Sequence, residues 1–288
     1  MTRQPLVARH AEELLGSAVV ATAPLAGGDT SSATKLRLSD GSTAIMKTHA
    51  HPPPGFFAAE AQGLRWLAEP AADGGVHVPD VLGCDEECLI LRWVEPGKAS
   101  SEAAAGFGVA LAVTHAAGAP AYGGAADGFI SKLPLPNSPC DSWAEFYAVR
   151  RVLPYLKLAR DRGAIGETEA AAVEGVIGKL TTLLPEEPPA RLHGDLWNGN
   201  VLWGQEAKVW LIDPAAYGGH RELDLAMLAL FGLPHLPRVL DAYQEHSPLA
   251  DGWEERVPLH QLFPLLVHAA LFGGGYGARA AEAASRYA

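Results

Sequence analysis

The sequence predicts an α+β protein of two lobes, a small β-rich N-terminal lobe (residues 1–95) and a larger, mostly helical C-terminal lobe (residues 96–288). One observation behind this prediction is a change of period at the boundary. Apolar residues alternate in short segments before it, as in strands, and recur at helical spacing after it, as they do around Phe107. The other observation is a pair of short apolar runs, residues 201–203 and 209–212, which predicts a β-hairpin inside the helical lobe.

Composition narrows the class of protein. With 288 residues, 48% of them hydrophobic, the chain can bury a sizeable core. The formal net charge of -11 argues against nucleic acid as a partner, because affinity for a phosphate backbone depends on clustered Lys and Arg. No apolar run reaches membrane-spanning length and no signal-peptide core follows Met1, so we expect a cytoplasmic protein without a membrane partner. Cys84, Cys88 and Cys140 lack paired C-x-x-C spacing and are predicted to be free thiols.

The N-terminal lobe opens with a predicted helix over residues 6–15 and a strand over residues 17–23. A glycine pair, Gly27 and Gly28, then leads through small polar residues into an alternating strand. Small residues let backbone N–H groups approach phosphate closely, which makes this segment a candidate nucleotide-covering loop. The same Gly-Gly-Asp sequence is also typical of an ordinary hairpin turn, and it lacks the G-x-x-x-x-G-K-[ST] and G-x-G-x-x-G patterns.

The strand predicted over residues 42–48 carries Lys47 where kinases have the lysine that holds the α- and β-phosphates. The helix predicted over residues 56–69 offers two carboxylates that could pair with it. Glu60 lies among apolar neighbours, whereas Glu69 lies near the helix end, just before a proline. We therefore expect Glu60 to form the ion pair that keeps the ammonium directed at phosphate.

Two further strands are predicted at residues 77–82 and 88–94, and a turn follows the second. In a two-lobed kinase this turn joins the lobes, and its backbone N–H and C=O groups bond the adenine. Arg92, Trp93 and Val94 are the candidates for that contact, although an edge strand followed by a turn would give the same pattern.

The stretch with the most candidate catalytic and metal-binding residues is RLHGDLWNGNVLW, residues 191–203. Asp195 precedes Asn200 by five positions, the spacing of the base and the metal-binding amide in the kinase pattern H-R-D-x-x-x-x-N. The hairpin predicted after Asn200 would bring Asp213 back beside it. His193 is expected to pack and hydrogen-bond within the loop, with a direct chemical role as the alternative.

These residue types suit phosphoryl transfer, in which the protein positions the reactants and neutralises charge. Mg²⁺ prefers oxygen ligands, and Asn200 and Asp213 offer an amide oxygen and a carboxylate. Asp195 would accept the proton of the substrate hydroxyl. The three residues together predict a kinase-like site.

The rest of the C-terminal lobe is predicted to be helical, apart from an irregular, proline-bearing segment at residues 128–137. Helices are expected around Trp143, over residues 167–184 and after Gly218. Asp224 lies near the start of the last of these, where the helix dipole favours a carboxylate. We expect a structural role for it, with metal binding as the alternative.

These residues resemble the aminoglycoside-phosphotransferase-like kinases, which have a two-lobed protein-kinase-like fold. The broadly shared motifs are Lys47, Glu60, HGDLWNGN at residues 193–200 and Asp213 with Pro214. More specific stretches narrow the resemblance to the fructosamine kinase (ketosamine 3-kinase) family: Trp197 within the loop, FISKLPLPN at residues 129–137, YGGHRELDLA at residues 217–226 and LFGGGY at residues 271–276.

The resemblance implies ATP- and Mg²⁺-dependent phosphorylation of the 3-hydroxyl of a ketosamine sugar, a step that leads to deglycation. The acceptor would be a small-molecule glycated amine or a glycated protein lysine. The resemblance also implies that Asp195 accepts the proton, that Asn200 and Asp213 bind the metal and that Lys47 contacts phosphate. Trp197 would offer an aromatic face to the sugar, or else anchor the loop.

Two departures from the family pattern bear on the substrate side and on assembly. Ser131 and Leu135 stand where a glycine and a glutamine are expected. The glycine-rich loop, residues 27–32, has no cysteine. We therefore expect a monomer and not a dimer linked by a disulfide through that loop. Two other functions stay open: a kinase of aminoglycosides or choline-like amines, and a nucleotide-binding protein without transfer activity.

Overall fold

The computed structural model describes residues 6–25 and 31–288, and it confirms the predicted α+β fold class. The N-terminal lobe is a five-stranded antiparallel sheet in the order β1-β2-β3-β5-β4. Its strands are β1 Val19–Leu25, β2 Ser32–Leu38, β3 Thr43–Thr48, β4 Val81–Cys84 and β5 Cys88–Arg92. Gly27 and Gly28 lie outside the described residues, so the nucleotide-covering loop stays a prediction.

Helices α1 (Leu6–Leu15) and α2 (Phe56–Ala68) pack on opposite faces of this sheet. Side chains alternate between the two faces of a strand, and β5 follows that rule. Its Ile90 belongs to the apolar cluster that contains Ala11 of α1, whereas Leu89 packs in the cluster that contains Leu64 of α2. The sheet is therefore buried on both sides.

The same alternation directs Lys47 toward α2. On β3, Met46 packs in the α1 cluster, while Ile45 contacts the α2 cluster. Lys47, two residues after Ile45, faces the α2 side as well. Since β3 is the middle strand, pairing with both β2 and β5, its position is well fixed.

The C-terminal lobe is mostly helical. Its helices are α3 Ser101–Ala116, α4 Trp143–Phe146, α5 Leu153–Asp161, α6 Glu167–Ile177, α7 Leu180–Leu183, α8 Glu222–Phe231, α9 Leu236–His246, α10 Trp253–Phe272 and α11 Tyr276–Ser285. Three short antiparallel strand pairs interrupt them: β6 Gly128–Ile130 with β7 Leu133–Leu135, β8 Ala190–Leu192 with β11 Tyr217–Gly219, and β9 Val201–Trp203 with β10 Val209–Leu211.

Two predictions about this lobe need correction, and one strand pair was not predicted. The segment 128–137, predicted to be irregular, contains the hairpin of β6 and β7, because a tight turn at Ser131 lets the chain fold back despite its prolines. The helix predicted over residues 167–184 is two helices, since α6 ends before Gly178, a residue of low helix propensity. The pairing of β11 with β8 was not predicted, because its Tyr-Gly-Gly sequence lacks the signals of a strand.

Across the described ranges, no helix combines the length and the apolar character that crossing a bilayer requires.

Candidate active site

A cavity of about 1040 Å³ lies where the two lobes meet. The N-terminal lobe contributes Lys47 and Glu60 to its lining, and the C-terminal lobe contributes Asp195, Asn200 and Asp213. Five residues predicted from distant parts of the sequence are thus brought into one cleft.

Lys47 is held by two carboxylates, one from each lobe. Its Nζ donates to Glu60 Oε1 at 2.6 Å and to Asp213 Oδ1 at 2.9 Å. Burial alone would lower the pKa of Lys47, but the two adjoining negative charges outweigh that effect and raise it. The ammonium is therefore charged at neutral pH, and the predicted ion pair with Glu60 is present. Glu69, the rejected candidate, pairs instead with Arg191 at 2.7 Å.

The hairpin of β9 and β10 brings Asp213 to Asn200, as the sequence predicted. Val201 pairs with Leu211, and the N–H of Ile212 donates to the carbonyl of Asn200 at 3.1 Å. The chain then places Asp213 in the left-handed region, with φ of 54°. Such a backbone conformation is unfavourable for a residue with a Cβ and persists only where surrounding contacts hold it.

Asn200 contacts the proposed base directly. Its Nδ2 donates to the Asp195 carbonyl at 2.8 Å and to Asp195 Oδ2 at 3.2 Å. Because the amide nitrogen is used in this way, the amide oxygen is the group of Asn200 that can bind a cation.

Burial, followed by the negative charge of Asp213, raises the pKa of Asp195 to about 7. The cleft thus concentrates negative charge around two nearby carboxylates. This charge, together with the free amide oxygen of Asn200, fits a divalent cation that prefers oxygen ligands.

The loop that carries Asp195 is fixed by hydrogen bonds that the sequence did not reveal. Asp224, buried at the start of α8, accepts from the N–H of His193 at 2.8 Å and the N–H of Gly194 at 3.0 Å. His115 from α3 lies 3.2 Å from the same carboxylate, and Tyr243 from α9 bonds the other ring nitrogen of His115 at 2.9 Å. The structural role expected of Asp224 is confirmed.

His193 has the packing role expected from the sequence. Its ring donates from Nε2 to the carbonyl of Ile212 at 2.9 Å, and Nδ1 lies 3.3 Å from the N–H of Asp195. Burial lowers the pKa of His193, so the ring is neutral, and its bond to Ile212 ties the loop to the segment between β10 and Asp213.

The hinge candidates lie at the end of β5, and none is among the described residues that line the cavity. Arg92 is exposed, and both its N–H and its side chain bond Asp80. The N–H of Trp93 donates to Thr43 in β3, and the Lys35 ammonium lies 3.8 Å from the Trp93 ring. Adenine binding by Arg92, Trp93 and Val94 stays a prediction.

Trp197 lines the cleft. Its side chain is 37% exposed, and its ring meets that of Phe231 edge to face, with centroids 5.8 Å apart. A Cβ added to Gly199 would lie 2.4 Å from the indole, so this glycine makes room for the ring. One edge of Trp197 therefore packs against Phe231, and contact of its ring with the sugar stays a prediction.

Both residues that depart from the family pattern line the cavity. Ser131 has φ of 51°, in the region where glycine has no steric cost, which explains why a glycine is expected there. Leu135 is buried.

A buried cation lies behind the part of the cavity that is lined by Ser131 and Leu135. Arg151 is fully buried, with its guanidinium 3.8 Å from the Tyr217 ring centroid. It donates to the carbonyl of Pro136 at 2.6 Å and to Asn137 Oδ1 at 2.6 Å, and Asn137 lines the cavity. An Arg on the apolar face of a helix was the only sequence signal for it.

A second ionic cluster lies under α8. The Arg256 guanidinium binds Glu222 in a bidentate manner, at 2.5 and 2.9 Å, and the stacked rings of His220 and His260 lie beside this pair. Burial alone would raise the pKa of Glu222, but its His260 and Arg256 neighbours outweigh it and lower the pKa to about 2. Burial lowers the pKa of His220 to about 3.

Both shifts predict instability in acid. An unfolded His220 takes up a proton below about pH 6.5, whereas the folded residue does so only near its pKa of about 3. Stability is therefore lost as the pH falls through this window, by about 1.4 kcal/mol per pH unit for this one group. Glu222 adds to the loss below about pH 4.5.

We expect His220→Phe to flatten the decline in the free energy of unfolding between pH 6 and pH 4 by about that slope. Urea unfolding across this range measures it, and His51→Phe at an exposed position is the matched control. An unchanged slope in His220→Phe would show that His220 does not titrate in this way.

The fructosamine kinase family model matches residues 4–287. A probable ketoamine kinase from Thermus thermophilus is 38% identical, over 88% of this chain and 88% of its own length. The crystal structure of a protein assigned as a fructosamine-3-kinase from Thermobifida fusca has a TM-score of 0.93 and 48% identity, covering 98% of each chain. The choline kinase LicA from Streptococcus pneumoniae, at 15% identity over 99% of this chain and 98% of its own, shares the fold with a TM-score of 0.62. The chain therefore belongs to the fructosamine kinase family and has the two-lobed, protein-kinase-like fold of small-molecule phosphotransferases.

Proposed function

We propose that the protein transfers the γ-phosphoryl group of ATP to the 3-hydroxyl of a ketosamine, a sugar joined through a ketoamine to an amine. The observation that carries this proposal is the convergence of Lys47, Asp195, Asn200 and Asp213 on one cleft between the lobes. Family membership supports the substrate class, since relatives in this family are named as kinases of ketoamines and fructosamine.

Each polar group of the cleft has a proposed task. Lys47, kept charged by Glu60 and Asp213, binds phosphate oxygens. Asp195, hydrogen-bonded by Asn200, receives the proton of the acceptor hydroxyl. Asn200 and Asp213 would hold Mg²⁺, which when bound neutralises the charge that develops on the phosphate oxygens. Arg92, Trp93 and Val94 are proposed to bond the adenine through backbone groups other than the two N–H groups that already donate to Asp80 and Thr43, with Gly27 and Gly28 over the phosphates.

The acceptor is proposed to lie against Trp197, on the side of the cleft lined by Ser131 and Leu135. Both small glycated amines and glycated protein lysines are proposed as acceptors, because Trp197 lines the cavity and is also exposed to solvent, so an acceptor can reach it from outside. We further propose that the protein acts in the cytoplasm as a monomer whose lobes correspond to residues 1–95 and 96–288.

Steady-state rates on a matched set of ribulosyl, fructosyl and erythrulosyl amines test the proposed function. We expect ATP-dependent phosphorylation, with phosphorus-31 and carbon-13 NMR locating the new ester on carbon 3 of the sugar. Transfer to aminoglycosides or choline, with none to any ketosamine, would replace this proposal by the alternative kinase activity. ATP binding without transfer to any acceptor would identify a nucleotide-binding protein.

Glu60→Gln is expected to raise the KM for ATP by roughly tenfold, which corresponds to about 1.4 kcal/mol. The reason is that Lys47 keeps its charge but loses one of the two carboxylates that aim it. Glu69→Gln, directly after the end of α2 and paired with Arg191, is the matched control and should leave the KM unchanged. Equal effects from the two variants would remove the special role given to Glu60.

Trp197→Leu is expected to raise the KM for the ketosamine about tenfold while leaving the KM for ATP unchanged, since aromatic contacts of this kind contribute up to about 1.5 kcal/mol. Phe231→Leu removes the ring that supports the indole and serves as the comparison. If Trp197 only anchors the loop, kcat will fall in Trp197→Leu and the acceptor KM will stay constant.

A further inference from the structure

A cluster of three potential metal ligands lies on the N-terminal lobe, away from the cleft. His10 of α1 faces Asp85, in the turn joining β4 to β5, and Cys88, the first residue of β5. One ligand atom from each residue, a ring nitrogen of His10, a carboxylate oxygen of Asp85 and Sγ of Cys88, lies within 4.8 Å of the other two. None of the three residues lines the active-site cavity.

The distances are close to those of a zinc site. His10 Nε2 lies 2.6 Å from Asp85 Oδ2 and 4.0 Å from Cys88 Sγ. A tetrahedral Zn²⁺ with bonds of about 2.0 Å to nitrogen and oxygen and about 2.3 Å to sulfur separates its ligands by roughly 3.3–3.7 Å. To reach these values the nitrogen–oxygen pair must open by roughly 0.7 Å or more and the nitrogen–sulfur pair must close by roughly 0.3 Å. His10 has a side chain that is 28% exposed, so it is not locked inside the core.

The turn orients Asp85 before any ion arrives. Asp85 Oδ1 accepts from the N–H of Glu87 at 2.8 Å and from the N–H of Cys88 at 2.9 Å. These two bonds fix the carboxylate so that Oδ2 points at His10. A preoriented ligand loses less conformational entropy on binding, which favours affinity.

A second carboxylate lies behind the imidazole. Glu87 Oε2 is 3.9 Å from His10 Nδ1, the ring nitrogen that remains free when Nε2 binds a metal. Metal-bound histidines typically donate their other N–H to a carboxylate, which orients the ring and raises its basicity. The turn also carries Glu86, so that three consecutive carboxylates attract a cation to this end of the lobe.

We infer that His10, Asp85 and Cys88 bind one divalent transition-metal ion of the zinc class, with water as a fourth ligand. An imidazole, a carboxylate and a thiolate together favour Zn²⁺ over Mg²⁺, which avoids sulfur. On binding, the Cys88 thiol loses its proton to solvent. The imidazole proton moves to Nδ1, and this N–H donates a hydrogen bond to the Glu87 carboxylate. The ion then joins α1 to the turn between β4 and β5.

Such a joint stabilises the lobe that carries Lys47. Cys88 packs in the same apolar cluster as Ala8 and Ala11 of α1, so the ion sits at the edge of that cluster. Zinc that binds only the folded state at 100 times its dissociation constant lowers the unfolding equilibrium constant about 100-fold.

Cobalt is the first probe, because Co²⁺ bound to thiolate gives a charge-transfer band in the near ultraviolet. No cysteine is among the described residues lining the cleft, so a cation there gives no such band. The experiment uses tag-free full-length protein without nucleotide. We expect a band with 1:1 stoichiometry in the wild type and none in Cys88→Ala, with Cys84→Ala and Cys140→Ala as controls that keep it.

A folding defect in Cys88→Ala would also remove the band, so a second variant is needed. His10→Gln serves this purpose, because His10 is partly exposed. Zinc affinity, measured by competition with a chromophoric chelator, should fall at least 100-fold in His10→Gln and roughly 10- to 100-fold in Glu87→Gln. Glu86→Gln, which loses the same charge in the same turn, is the matched control and should stay near wild type. Ketosamine kinase activity should be unchanged in all of these variants.

The inference is overturned if the wild type gives no thiolate band, if the band survives in Cys88→Ala, or if Glu86→Gln and Glu87→Gln weaken zinc equally. The last result would indicate non-specific attraction to an acidic turn. Because the readout is spectroscopic and the variants lie outside the cleft, these outcomes are independent of the proposed kinase reaction.

Discussion

Asp195→Asn is expected to lower kcat by roughly 10²–10⁴-fold, the usual effect of losing a positioned acid–base group. An amide cannot accept the proton of the acceptor hydroxyl, although it can keep the hydrogen bond from Asn200. Lys47 and Asp213 are unchanged in this variant, so ATP should bind with near wild-type affinity. Single-turnover rates and equilibrium binding of ATP separate the two effects.

Asn198→Ala, at an exposed position of the same loop, is the matched control for Asp195→Asn and should retain activity. Normal turnover by Asp195→Asn would mean that another group accepts the proton.

Asp213→Ala is expected to abolish metal-dependent nucleotide binding, with a loss of affinity for ATP in the presence of Mg²⁺ of roughly 100-fold or more, or about 2.7 kcal/mol. The variant removes a proposed metal ligand and also one of the two carboxylates that hold Lys47. Isothermal titration with and without Mg²⁺ measures the change. Residual binding should become insensitive to Mg²⁺.

Asp161→Asn provides the comparison, because this carboxylate forms an exposed ion pair with Lys157 in the C-terminal lobe, to which Asp213 also belongs. If Asp213→Ala kept the wild-type dependence on Mg²⁺, the assignment of Asp213 as a metal ligand would be wrong.

Local sequence patterns predicted much of the site because each part of it is set by short-range chemistry. The hairpin after Asn200 follows from two apolar runs around a turn, and it suffices to return Asp213 to Asn200. Likewise, the alternation of β3 and the apolar face of α2 place Lys47 next to Glu60. In these cases the period of the sequence determines which side chains meet.

The hydrogen bonds that hold the site in place could not be predicted, because they join residues far apart in the chain. Asp224 holds the catalytic loop from 30 and 31 positions away, and His115 reaches it across 109 positions. Arg151 supports the segment around Asn137 from within an apolar cluster, where a charged residue is rarely expected. Such pairs have no characteristic spacing, so only the fold reveals them.

The hinge prediction shows a different limit. Backbone groups carry no residue-specific signal, so a sequence pattern can locate the turn after β5 but cannot assign its N–H and C=O groups. In the structure, the N–H of Arg92 donates to the carbonyl of Asp80 and the N–H of Trp93 donates to the carbonyl of Thr43.

The central claim is that one cation, bound with the nucleotide, is held by Asn200 and Asp213 in the cleft between the lobes. A crystal structure with Mg²⁺ and a non-hydrolysable ATP analogue tests it most directly. We predict that the amide oxygen of Asn200 and a carboxylate oxygen of Asp213 coordinate the ion, with Lys47 on a phosphate oxygen. A nucleotide and cation bound without contact to Asn200, Asp213 or Lys47 would contradict it.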